Sequence, residues 1–124
     1  MPGYRTLAIV PADGAEEVHV AEQLRRVGKL AEAAVLMEQA LALGLQRSPV
    51  VPGWLAGRLA SLYRMLARYD DEVRMLEHYR ESQVTDDHRG RYDARLSKAR
   101  AIADLKRRVD STATVSLSRL VSRR

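Results

Sequence analysis

The chain contains no cysteine and no asparagine, has one tryptophan and four prolines, and draws only 5% of its 124 residues from the aromatics. Without cysteine there is neither a disulfide nor a thiolate metal site, and the fold has to be held by packing. The apolar run Leu7 to Val10 follows a single arginine, Arg5. It is too short for a secretory signal and far below the roughly 20 residues of a membrane span. No membrane span is expected, and a cytoplasmic location follows as the default. Glycine-rich phosphate loops, a nucleophile elbow and paired carboxylates in a recognisable setting are also missing, so neither catalysis nor a cofactor is expected. His19, His78 and His88 are too far apart for a local metal site. Asp86-Asp87-His88 reads as a capping turn, and Asp70-Asp71-Glu72 as acid in the first turn of a helix.

A chain of this length can bury about two-thirds of its unfolded surface, enough for a core of its own. Its net charge of +5 hides a strong asymmetry. Residues 1–88 carry 10 basic and 13 acidic side chains, whereas residues 89–124 carry 11 basic and 3 acidic. The body is mildly acidic and the last third strongly basic, a segregation that points to an acidic protein surface, nucleic acid or a membrane face as its counterpart.

Residues 1–12, the N-terminal arm, include a short β-prone run, YRTLAIV, closed by Pro11, for which three readings stand: a strand, an arm packed on the helices, or a disordered leader. Asp13 and Glu16 have an acidic capping-box spacing that predicts a helix from about Gly14. Val18, Ala21, Leu24 and Val27 make its apolar stripe. Gly28 supplies the turn, and a second helix with Ala33, Ala34, Met37, Ala40 and Leu41 inward runs to Gly44. The prolines of QRSPVVPG then force a linker. Beyond it Leu55, Leu59, Leu62, Tyr63 and Leu66 form a third stripe, and Asp70 is placed to cap a fourth helix with Val73, Leu76 and Tyr79 inward. Thr85, Asp86 and Asp87 offer caps for a fifth helix with Tyr92, Leu96, Ala99, Ile102 and Ala103 on one face and Arg89, Arg95, Lys98, Lys106 and Arg107 on the other. The expected organisation is thus a helical domain at 13–108, made of hairpins 14–45 and 54–83 and a closing helix 88–108, followed by a basic flexible tail at 109–124.

The two hairpins resemble the tetratricopeptide repeat. The first has Val20-Ala21-x-x-Leu24, Gly28, Ala33-x-x-x-Met37 and Ala40-Leu41; the second has Leu59-Ala60-x-x-Tyr63, Ala67, Tyr69-Asp70 and Leu76. Glu72 stands where the repeat takes a small residue and Tyr79 where it takes alanine. The turns at 28 and 67 lie 39 residues apart against a repeat of about 34, the proline linker making up the surplus. The resemblance implies an all-α fragment of a right-handed solenoid, closed at its open end by the fifth helix or by a second chain.

It also implies a binding groove along the first helix of each hairpin, lined by Val18, Glu22, Arg25 and Arg26 from one and Trp54, Ser61, Arg64 and Met65 from the other. Trp54 either anchors a partner or packs the linker against the helices. The lysine and asparagine clamp of the repeats that grip C-terminal carboxylates has no counterpart. The expected function is a noncatalytic interaction module, an adaptor or assembly subunit holding a partner's peptide or helix. Two alternatives stand beside it: contact with nucleic-acid phosphates, or an acidic partner, through Lys106, Arg107, Arg108, Arg119, Arg123 and Arg124, and self-association through an unfinished repeat end. No base-stacking aromatic follows Tyr92.

Overall fold

Alanine sets how closely the first two helices approach. In α1 (Ala15–Arg26) and α2 (Leu30–Leu45) the residues Ala21, Ala33, Ala34, Met37 and Ala40 are buried, with Val18, Leu24, Leu30 and Leu41 packed at the margin. Val27, expected in the stripe, is exposed because it caps the helix rather than continuing it. The computed structural model describes the backbone of residues 14–122 and the side chains of residues 14–113. The arm at 1–12, Asp13, the side chain of Arg119, and Arg123 and Arg124 lie outside that range. Among the described residues every regular element is helical, and the fold is all-α.

The second hairpin pairs α3 (Gly53–Met65) with α4 (Tyr69–Ser82). Its turn repeats the first bond for bond. Gly28 N–H donates to Arg25 O and Lys29 N–H to Leu24 O; 39 residues later Ala67 N–H donates to Arg64 O and Arg68 N–H to Tyr63 O. Both are the 6→1 and 5→2 bonds of a Schellman turn, which needs a left-handed residue at its centre. Gly28 takes φ +83° at little cost, while Ala67 holds φ +57° with a Cβ. Asp70 does not cap α4. The cap position belongs to Arg68, and Asp70 lies within the first turn, where its charge complements the helix dipole and meets Arg107.

The linker between the hairpins is pinned. Val51 is buried, its N–H donates to Ser82 Oγ at 3.0 Å, and its carbonyl accepts from Gln83 Nε2 at 2.8 Å. Both partners stand at the C-terminal end of α4, so residues 51–53 cannot swing. The chain then passes through α5 (Asp86–Arg89), capped by Thr85 Oγ1 accepting His88 N–H at 3.3 Å, and a 3₁₀ turn (Gly90–Tyr92) into α6 (Asp93–Ser122).

Helix α6 closes the second hairpin. Leu96 and Ala99 bury against Ala60 and Leu76, with Ala103 buried one turn on. Tyr92 sets its edge on Tyr79 with ring centres 5.0 Å apart, and its hydroxyl donates to Gly53 O at 2.7 Å. Arg95, expected on the solvent face, instead reaches Gly57 O at 3.3 Å and Ser61 Oγ at 2.7 Å. The backbone shows no boundary at 108. No glycine or proline follows Gly90 to stop the helix, and Lys106 pairs with Asp110 at i,i+4, so α6 continues to Ser122.

Candidate functional site

Trp54 owes its position to its neighbours. Pro52, with φ −63° and extended ψ, is the N-cap of α3, and the fixed linker behind it delivers Trp54 to the second position of the helix. Leu55 and Ala56 turn inward and are buried, while Trp54 remains 51% exposed. Its ring borders an apolar cavity of about 180 Å³. Ala15 and Val18 of α1, Ala40, Leu41 and Gly44 of α2, and Pro52 and Leu55 complete the lining.

One helical turn beyond Val18 and Trp54 on the same two helices stand Glu22 and Arg58. Glu22 accepts from Arg58 at 2.8 Å and from Arg25 at 2.9 Å, bridging α1 to α3. The face shared by the two helices therefore changes from apolar to charged within one turn. Ser61 and Arg64 do not belong to it. Ser61 lies under Arg95, and Arg64 turns into its own hairpin to meet the fully buried Glu72 at 2.9 Å. Arg26 and Met65 are exposed at the far ends of α1 and α3. Of the eight residues expected to line a groove, the structure brings Val18 and Trp54 to one cavity and Glu22 and Arg25 to the pair beside it.

The lining residues that sequence reasoning missed are Ala15, Ala40, Leu41, Gly44, Pro52 and Leu55. The available signal was the pair of small residues Ala40 and Gly44 at i,i+4, which leaves a dent on one face of α2.

Toward the C-terminal end of α3 a second polar group joins the hairpins. Tyr63 donates its hydroxyl to Glu38 Oε2 at 2.5 Å, and the Arg68 guanidinium lies 4.7 Å from the centre of its ring. Burial, and then the bond to Glu38, push the Tyr63 hydroxyl far above its usual range, so it stays protonated and donating. Burial also raises the carboxyl of Asp71, but hydrogen bonds from Arg74 and Arg68 outweigh it and hold the group below the usual carboxylate value. Through these contacts Tyr63 ties α3 to α2 and so holds the two hairpins together.

The basic third offers fewer free charges than its composition suggests. Arg107 bonds to Asp70 and Asp104, and Lys106 to Asp110. They face a mixed-charge cleft of about 300 Å³ between α6 and the start of α4. Arg108 is exposed. Among the described residues no group of three or more His, Asp or Glu side chains is placed to hold a metal ion, and no helix is long and apolar enough to cross a membrane. No protein-family model matches this chain, and neither does any curated protein or solved structure.

Proposed function

We propose that this chain is a noncatalytic protein interaction module, built as a tetratricopeptide-like pair of hairpins closed by α6, and that it holds a partner's peptide or helix by an apolar side chain inserted beside Trp54. The observation that carries this reading is that Val18 and Trp54, each near the start of the first helix of its hairpin, line one apolar cavity. An exposed tryptophan at the rim of an apolar pocket is the kind of group that dominates binding energy when covered. The Glu22, Arg25 and Arg58 cluster one turn away then selects for a partner whose apolar anchor is followed by polar or charged residues.

Contact with phosphates through the basic third is the weaker reading, since Lys106 and Arg107 already answer acidic groups of this chain. The deciding experiment is capture of partners from the native source on immobilised chain, with identification by mass spectrometry, using the unaltered protein, Trp54→Ala and a truncation at residue 105. Partners lost with Trp54→Ala and kept by the truncation support the cavity. Capture unchanged by Trp54→Ala refutes it, and retention only of nucleic acid through residues 106–124 favours the phosphate reading.

A further inference from the structure

The described chain begins at the wall of the Trp54 cavity. Gly14 has φ +89°, and a Cβ added there would lie 2.5 Å from Ala40 Cα and 2.8 Å from Ala40 Cβ. The backbone at residue 14 thus rests directly on Ala40, and Ala40 and the next residue, Ala15, both line the cavity. Whatever precedes Gly14 must leave from the cavity rim. The most apolar part of that segment, Leu7-Ala8-Ile9-Val10, ends four residues before Gly14. At about 3.3–3.6 Å per residue those four residues span at most roughly 14 Å, which keeps the run within reach of the cavity. The cavity itself is slightly larger than the engineered apolar cavities of about 150 Å³ that hold a benzene-sized ligand.

We infer that Leu7 to Val10 of this same chain dock in the Trp54 cavity, so that the N-terminal segment competes with any external occupant. A short tether gives the run an effective concentration on the order of millimolar at the cavity, so a weak contact is enough to occupy it. An external ligand then binds with its affinity reduced by the fraction of time the cavity is filled. The docking itself requires no partner and stands apart from the reading of the cavity as a partner site.

The test uses the absence of cysteine and the single tryptophan. In Ile9→Cys/Leu41→Cys the two introduced thiols are the only ones. Under mild oxidation they should be lost together to an intramolecular disulfide in the monomer, faster than in the control Ile9→Cys/Arg74→Cys, whose second site is an exposed position on α4. In the full chain, Leu7→Ser with Ile9→Ser should shift Trp54 emission to longer wavelength and increase its quenching by acrylamide, and deletion of residues 1–12 should do the same with the far-ultraviolet circular dichroism unchanged. Crosslinking no faster than the control, or unchanged Trp54 emission in the serine variant, overturns the inference. Disulfide-linked dimers in place of the monomeric product also overturn it, by assigning the cavity to the arm of a second copy.

Discussion

Arg64 and Glu72 form a charge pair whose two members differ in what they can do when left alone, and this makes it a sharp test of the second hairpin. The Glu72 side chain is 0% exposed, whereas Arg64 keeps 33% of its side chain in solvent. Arg64 Nε donates to Glu72 Oε1 at 3.1 Å and sits 2.9 Å from Oε2, but Arg64 Nη2 and Glu72 Oε2 are buried with no hydrogen-bond partner. Removing one partner of a buried pair costs about 3–5 kcal/mol because the other charge is stranded. Arg64→Met strands a carboxylate that cannot reach water, and with the pair partly solvated from the Arg64 side the loss should fall near the lower end, about 3 kcal/mol. Glu72→Ala strands only an arginine that can turn outward, so its cost should be about 1 kcal/mol or less. The double variant Arg64→Met/Glu72→Ala should cost only about 1–2 kcal/mol, less than Arg64→Met alone, a coupling of about 2 kcal/mol. Urea unfolding at neutral pH followed by circular dichroism, with unchanged slope across the four proteins, measures the cycle. If Glu72→Ala destabilises as much as Arg64→Met, or the two losses add, the asymmetry argued here is wrong. Because alanine is the kind of residue that the tetratricopeptide pattern takes at position 72, ready tolerance of Glu72→Ala would also support that proposed kinship.

Ala67→Gly should stabilise the chain by about 0.5–1 kcal/mol, since the left-handed conformation at φ +57° disfavours a Cβ, and Gly28→Ala should lose a similar amount; both are read from the thermal midpoint. Asp71 has a folded-state value held below the ordinary 3.8, so its stabilisation is complete above that pH and is lost as pH falls through and below it. Asp71→Asn should therefore be less stable than the parent at neutral pH, by about 0.2–1 kcal/mol for such exposed partners, with the two acid-unfolding curves converging at low pH. A constant gap at all pH values would refute the assignment. At Gly57 a Cβ would come 2.6 Å from the Tyr92 hydroxyl, so Gly57→Ala should cost about 1–3 kcal/mol and lower hydrogen-exchange protection in α6 before the first hairpin.

The helical elements were legible because each carries its own periodicity and punctuation. Ala21, Ala33, Ala34, Met37 and Ala40 in the first hairpin, and Leu55, Leu59, Leu62, Tyr63, Leu76 and Tyr79 in the second, are buried as their spacing requires. Gly28, the proline linker and Thr85 mark the breaks. Three features were not legible. The Ser- and Thr-rich stretch after Asp110 looks irregular by pattern, yet a helix with no stop signal propagates at little cost per residue once α6 is nucleated. Arg95 reads as a solvent-facing charge, but glycine at 57 opens space on α3 that a long side chain can enter, and a helix-by-helix reading does not see the facing element. Ser61 and Arg64 fall on the groove side by register, and their partners, Arg95 and Glu72, arrive from 34 and 8 residues away. Tertiary partners decide which way a polar side chain turns, and periodicity records only the backbone.

The same distinction explains the state of Trp54. A tryptophan at the start of a helix has apolar surface to hide, and a loose linker would let it fold inward. Here the chain before it is tied at Val51 to Ser82 and Gln83, and the carbonyl of Gly53 accepts from Tyr92. The turn after it is committed to the core through Leu55, Ala56 and Leu59. With both sides held, the backbone cannot carry the ring inward, and an occupant laid across it is one way to bury it further. The cavity beside it is thus preorganised by bonds reaching to the end of α4 and the start of α6, and an occupant need not spend binding energy on forming it. The elements that close the second hairpin and the cavity that lies between the two hairpins are in this sense one construction: loosening Gln83 or Tyr92 would free the linker and let Trp54 move.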